Sequence, residues 1–387
     1  MTTSTTKSLS RRDWFKCTVA LSAGLTLSTS LIEQLMAAPK SVAEQNFFAN
    51  TQSVKVRLNA NENPYGLSPK AKEAAAQVLS QGNRYVFGEI RDLKKIFADR
   101  EGVTPEHIHL AAGSSETLVQ SGIAFGLEGG RILSGFPTFD LLMSFAEQTF
   151  KATWDKVDLN DKLEFDYDKI ASAIKPDTKL IFVCNPNNPS STFVDPQKVK
   201  SFCEEVSKTV PVYVDEAYLD FVEPSQQISM VDLVKKDANV IVSRTFSKVY
   251  GMAGLRMGYI VAKPELIKKI AKYGGGYGGL GLSQVSIAAS KAAMHDTDFV
   301  SMVRNKNATA RKVLTDYLDQ QKVFYGKPVG NFVFWQASKD GKTILKKMDE
   351  AGYLMRIWDY QQKEWCRVSI GTEDEMKGFV KAFSIIS

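Results

Sequence analysis

With 387 residues the chain is too long for one small core and long enough for two domains, and 44% hydrophobic with 24% charged residues describe an ordinary globular protein. The net charge of +6 comes from lysines and arginines scattered among acids, with no basic stripe and no interleaved aromatics, which argues against nucleic-acid binding. Three histidines and four irregularly spaced cysteines leave neither a metal site nor a disulfide framework to build.

Residues 1–43 read as an export signal. Arg11-Arg12-Asp13-Trp14-Phe15-Lys16 is a charged region, Cys17 to Ile32 is a moderately apolar run broken by Ser, Thr and Gly, and Ala37, Ala38 and Ala43 supply a cleavage zone. The run is short for a membrane span, which needs about 20 predominantly apolar residues. Cys17 lacks the small-residue setting of a lipoprotein cleavage box, so no stable membrane anchor is expected. The paired arginines followed by aromatics and a lysine resemble a twin-arginine signal, which implies a periplasmic protein. The competing reading is an amphipathic N-terminal helix of the mature protein.

From about residue 55 short apolar β-branched runs alternate with helical patterns, which predicts an α/β fold with a largely parallel sheet. Strands are expected at His107–Ala111, Arg131–Ser134, Leu180–Cys184, Val212–Asp215, Val240–Arg244 and Met257–Val261. Helices are expected at Pro69–Leu79, Glu116–Ala124, Pro196–Val206 and from Leu282 to about Gln320. Val323–Tyr325, Phe332–Trp335 and Val368–Ile370 read as strands of a smaller domain. The expected division is an N-terminal arm with part of the smaller domain over 44–83, a large domain over 84–280 and a small domain over 281–387. Asn188, Asp215 and Lys248 all fall at or just past the C-terminal ends of predicted strands, where open α/β sheets bind ligands.

Four motifs carry chemistry. In Ser243-Arg244-Thr245-Phe246-Ser247-Lys248 through Gly254-Leu255-Arg256-Met257-Gly258, a lysine lies among hydroxyls and glycines with an arginine nearby. An amine that can lose its proton suits imine formation, and hydroxyls, backbone N–H groups and a guanidinium suit a phosphate. Asp215-Glu216-Ala217-Tyr218 closes a strand, so the carboxylate is either buried in a site or caps the next helix. Cys184-Asn185-Pro186-Asn187-Asn188-Pro189 is a tight polar loop. Ala112-Gly113-Ser114-Ser115-Glu116 is a glycine turn opening a helix, a natural anion site.

In this order these motifs resemble those of fold-type I pyridoxal-5′-phosphate (PLP) aminotransferases, of class I/II, from about residue 55 to the C-terminus. That resemblance implies a large domain with a mostly parallel seven-stranded sheet plus a smaller α+β domain. It makes Lys248 the Schiff-base lysine, Asp215 the partner of the pyridine nitrogen, and Tyr218 and Asn188 the contacts of the ring 3-oxygen. Thr245, Ser247, Arg256, Ser114 and Ser115 would bind the phosphate. Phe139, in Gly135-Phe136-Pro137-Thr138-Phe139, would stack on the ring unless it is simply core. Arg367, in Cys366-Arg367-Val368-Ser369, would grip a substrate carboxylate, for which a planar fork is suited.

Arg57-Leu58-Asn59-Ala60-Asn61-Glu62-Asn63-Pro64-Tyr65-Gly66 resembles the signature of the histidinol-phosphate aminotransferase branch and points to Asn61 and Tyr65 as substrate contacts. Arg84-Tyr85 resembles the branch's Arg-Tyr-Pro, whose tyrosine reaches the neighbouring subunit's phosphate, which implies a homodimer with shared sites. Arg356 lies where the branch holds a distal phosphate. The chain departs from the pattern at Ser190-Ser191, in place of Thr-Gly, at Val86, in place of Pro, and at the glycine-rich stretch Tyr273–Gly281. The expected reaction is transamination between an L-amino acid and a 2-oxo acid. The alternative is an amino acid oxidase or lyase using the same Lys248 site without an oxo-acid partner.

Overall fold

The computed structural model describes residues 55–274, 279 and 281–386. The expected export signal, and residues 275–278 and 280 of the glycine-rich stretch, lie outside the described residues. The chain enters the fold through β1 (Val56–Arg57) and then builds one seven-stranded sheet. Its strands are β2 (Ile108–Ala111), β3 (Gly130–Phe136), β4 (Ala152–Asp158), β5 (Thr178–Cys184), β6 (Val212–Asp215), β7 (Val240–Thr245) and β8 (Gly258–Ala262). Their order is β2-β8-β7-β6-β5-β3-β4. The strands β3 to β7 run parallel, and β8 pairs antiparallel with both β2 and β7. Successive residues of β5 to β8 are buried almost without exception, so both faces of the sheet are covered, as parallel strands require.

The edge strand β4 was not anticipated from the sequence. Its residues Ala-Thr-Trp-Asp-Lys-Val-Asp alternate buried and exposed because only one face packs, so it lacks the continuous apolar run that marks its neighbours. The expected helix from Leu282 to Gln320 is two helices, Gln284–Ala293 and Thr297–Gln320. Between them the backbone tightens, with His295 N–H donating to Ala292 and Asp296 N–H to Ala293, three residues back instead of four.

A second, antiparallel sheet holds β9 (Phe332–Gln336), β11 (Arg356–Tyr360) and β12 (Lys363–Ser369) in the order β11-β12-β9, while β10 (Tyr353–Leu354) pairs in parallel with β1. Of the expected Val323–Tyr325 strand, only an isolated bridge between Tyr325 and Trp335 forms. Strand alternation assigns the two faces of this sheet. Val333, Trp335, Cys366 and Val368 join Leu314, Leu318, Phe379 and Phe383 in a core of their own, while Phe332, Phe334 and Trp365 pack into the core of the large sheet. The second core begins at Ala310, inside the helix Thr297–Gln320. Leu282, Ile287 and Ala293 belong to the first core. The connection is therefore a continuous helix, which carries no loop signal in the sequence.

Candidate active site

The C-terminal ends of β5, β6 and β7 open onto a cavity of about 280 Å³ that also receives β11 and β12 of the smaller sheet. It is lined by Asp215, Tyr218, Asn188 and Lys248, by Thr245, Ser247, Arg256, Ser114 and Ser115, by Phe139, and by Asn61, Arg356 and Arg367. Most of the residues singled out in the sequence thus converge on one space.

Two of them lie elsewhere. Tyr65 borders a separate surface hollow with Lys306, whose ammonium sits 5.1 Å from its ring. Tyr85 is 88% exposed, stacks on Phe87 at 5.6 Å and does not line the cavity.

One end of the cavity is built for an oxyanion. The helix Ser114–Gly126 begins at Gly113 without a side-chain cap, leaving backbone N–H groups of its first turn to face a ligand. Gly113 has φ +83, and a Cβ there would sit 2.2 Å from Arg256 Nη2, so the guanidinium can press against the turn only because the residue is glycine. Arg256 itself adopts φ +56 and is held by its Nη1 donating to Ala253 O at 2.9 Å and Ser247 Oγ at 3.4 Å. No carboxylate pairs with Arg256 among the described residues. Hydroxyls, helix N–H groups and an unpaired guanidinium fit a phosphate monoester.

At the other end, Asp215 is 3% exposed and accepts the Ala217 N–H at 3.0 Å. Burial pushes its carboxyl up to about 6 from the usual 3.8, only partly countered by the Ala217 N–H and by Lys248. A buried carboxylate destabilised in this way favours a cationic partner such as a protonated ring nitrogen. Lys248 is shifted the opposite way, down to about 8, by burial first and then by the positive charge of Arg367. Its Nζ donates to the carbonyls of Ala60 and Asn61, each at 3.3 Å. An amine near 8 is partly neutral at physiological pH, as imine formation and proton transfer require.

Arg367 Nη1 donates to Asn188 Oδ1 at 2.9 Å and Nη2 to Asn59 O at 2.7 Å, while its buried Nε has no partner. Burial, then the neighbouring Arg356, lowers its pKa to about 10 against the opposing effect of Tyr218. Arg356 and Arg367 are cross-strand partners on β11 and β12, and among the described residues neither pairs with a carboxylate. Glu62, which also lines the cavity, is taken by Arg57 at 2.7 Å.

In the departing loop, Ser191 takes φ +60, the conformation a glycine would adopt freely, and is stabilised by its Oγ accepting Gly330 N–H at 2.9 Å. Asn188 stays in the cavity. Glu62, Asn331 and Ser369 are additions that the sequence reading did not single out. A signal for Ser369 existed, since it lies two residues from Arg367 on a strand and so shares its face.

A phosphate cradle, a buried acid, a depressed lysine and a spare guanidinium around one cavity in an α/β fold define a PLP-dependent aminotransferase. The chain belongs to the aminotransferase class I and II family, whose pattern matches residues 53–383. It is 32% identical over 327 residues to the histidinol-phosphate aminotransferase of Limosilactobacillus fermentum, covering 82% of this chain and 87% of that one. A solved structure from Erwinia carotovora atroseptica is similar at TM-score 0.80 and 31% identity, covering 86% of this chain and 95% of that one. The histidinol-phosphate aminotransferase of Sinorhizobium meliloti, solved with pyridoxal-5′-phosphate, matches in fold at TM-score 0.79 and 23% identity, covering 94% and 98% of the two chains.

Proposed function

We propose that the enzyme exchanges an amino group between an L-α-amino acid and a 2-oxo acid, and that at least one of the two carries a second anionic group. The observation that carries this reading is the cross-strand pair Arg356 and Arg367, both lining the cavity and neither neutralised by a carboxylate of the described residues. Two adjacent guanidinium groups repel each other, and a ligand with two anions offsets that cost at both.

The bound cofactor supplies an aldehyde that takes up amines and a ring that withdraws electrons from the bond to be broken. The protein does the rest. Asp215 would hold the proton of the pyridine nitrogen, Arg367 would fix a carboxylate, and Lys248 would hold the cofactor's aldehyde and, as a free amine, carry a proton at its Nζ. Incubating the PLP-loaded protein with single amino acids, with and without dicarboxylic or monocarboxylic 2-oxo acids, under air and under nitrogen, tests the reading. Turnover that needs a dicarboxylic partner supports it. Turnover without any oxo acid but with air supports the oxidase alternative instead.

Two further parts of the reading concern assembly and location. The exposed Leu79, Tyr85 and Phe87 suit a homodimer in which Tyr85 enters the partner's cavity. Equilibrium sedimentation, and loss of PLP affinity in Tyr85→Ala, check this. Arg11-Arg12 and the apolar run after them suit twin-arginine export of a protein already folded around PLP. Arg11→Lys with Arg12→Lys would then leave active enzyme in the cytoplasm. Undiminished periplasmic activity would refute it.

A further inference from the structure

Asn61 is 1% exposed and has φ +52, a left-handed backbone that only Asn, Asp and Gly adopt readily. Its side chain sits between two hydroxyls contributed by distant parts of the chain. Ser369 Oγ, on β12, accepts the Asn61 backbone N–H at 2.7 Å and donates its own proton to Asn61 Oδ1 at 2.9 Å. That turns the amide nitrogen the other way, and Nδ2 donates to the Tyr218 phenol oxygen at 3.0 Å. The backbone carbonyl is fixed as well, accepting from Asn331 Nδ2 at 3.1 Å and Lys248 Nζ at 3.3 Å.

The donor order has a consequence for Tyr218. A phenol has one proton, and one that already accepts from an amide keeps that proton for another acceptor. Among the described residues no acceptor takes it, and Tyr218 lines the cavity. The geometry points to Asn61 as a positioning residue that makes Tyr218 a one-way donor into the cavity, through the chain Ser369 to Asn61 to Tyr218 to an oxygen of the bound cofactor. This explains the residue type. The left-handed backbone admits Asn, Asp or Gly, and of these only Asn has a side-chain N–H to give to the phenol. Aspartate would accept from the phenol and turn its proton away. The chain also joins β12 of the smaller sheet to the end of β6, so the two sheets set the donor together.

The inference rests on the cofactor site and not on the choice of substrate. Its test therefore uses no amino acid, and a failed substrate panel leaves it standing. The readout is the pH midpoint of the visible absorbance of the lysine-bound cofactor. A donor at the ring oxygen favours the deprotonated chromophore, so losing it moves the midpoint to higher pH. Tyr218→Phe is expected to raise the midpoint by about one pH unit or more, and Asn61→Gly, which keeps the backbone conformation, by part of that. Ser369→Ala, which frees the amide to rotate, should move it the same way. In the Tyr218→Phe background, Asn61→Gly should add nothing. Asn61→Asp in the wild-type background should shift it at least as far as Asn61→Gly. The inference is overturned if Asn61→Gly leaves the midpoint in place while Tyr218→Phe moves it, or if Asn61→Gly shifts it equally with and without the phenol.

Discussion

Replacing Asp215 with Asn should stabilise the protein without its cofactor and destabilise it with the cofactor. In the free protein the carboxylate is buried, and its pKa stands at about 6 instead of 3.8. That difference corresponds to roughly 3 kcal/mol held against the ionised form at neutral pH. The sign follows from proton linkage. Between about pH 4 and pH 6 the folded state binds this proton more tightly than the unfolded chain, so stability falls as pH rises across that window and the full cost remains above it. An amide carries no charge, and its oxygen can still accept the Ala217 N–H.

Apo Asp215→Asn should therefore unfold about 1–3 kcal/mol later than wild type at pH 7 and equally near pH 4, where both side chains are neutral. With PLP the order reverses. With Asp215 as its partner, the ring nitrogen would lose the anion that keeps it protonated, and breaking one partner of a buried pair costs about 3–5 kcal/mol. Urea unfolding of both proteins at several pH values, with and without PLP, measures all four numbers. A variant less stable than wild type without cofactor at pH 7 would refute the reasoning, as would equal stabilisation of both proteins by PLP.

Other consequences are narrower. Borohydride reduction of the PLP-loaded enzyme should attach the cofactor covalently to Lys248, and mass spectrometry should find no adduct in Lys248→Ala. The rate of PLP attachment to the apo-protein should rise with pH around a midpoint near 8, where Lys248 loses its proton, and Arg367→Gln should move that midpoint to higher pH by removing a nearby positive charge. The same variant should weaken amino acids more than their decarboxylated amines, on the order of a hundredfold, since losing one partner of a buried charged contact costs about 2–5 kcal/mol. Gly113→Ala would put a Cβ 2.2 Å from the Arg256 guanidinium and should lower PLP affinity about tenfold or more while barely changing affinity for pyridoxal, which lacks the phosphate.

The residues that meet in the cavity were legible in the sequence because each lies in a short local pattern at a strand or helix end: Lys248 after β7, Asp215 closing β6, Asn188 after β5, Ser114 at a helix start. Chemistry that depends on a strand end and its loop is written within a dozen residues. What was not legible is how those segments hold one another. Arg367 reaches Asn188 across 179 positions and Asn61 reaches Tyr218 across 157, and no local pattern encodes such a pairing. Tyr65 shows the opposite failure. Its motif lines the cavity through Asn61 and Glu62, but the chain turns at Asn63, whose Oδ1 accepts the Tyr65 N–H, and the tyrosine is carried away from the cavity. The edge strand β4 and the change of core inside a helix escaped for a related reason, since burial on one face and a helix shared by two cores both blur the periodic signal.

The charges around Lys248 also suggest how the site times its proton transfers. Arg367 is the largest charged neighbour lowering the lysine, and it is itself held without an anion in a dry setting. A carboxylate arriving at Arg367 cancels much of that positive field. On the proposed roles, the amine of Lys248 would then become more basic when the substrate is in place, when it would accept a proton from carbon. Before substrate arrives, the same unneutralised arginine favours the neutral lysine that attaches to an aldehyde. On that reading one guanidinium would set two opposite preferences of one amine, switched by occupancy of the substrate's carboxylate.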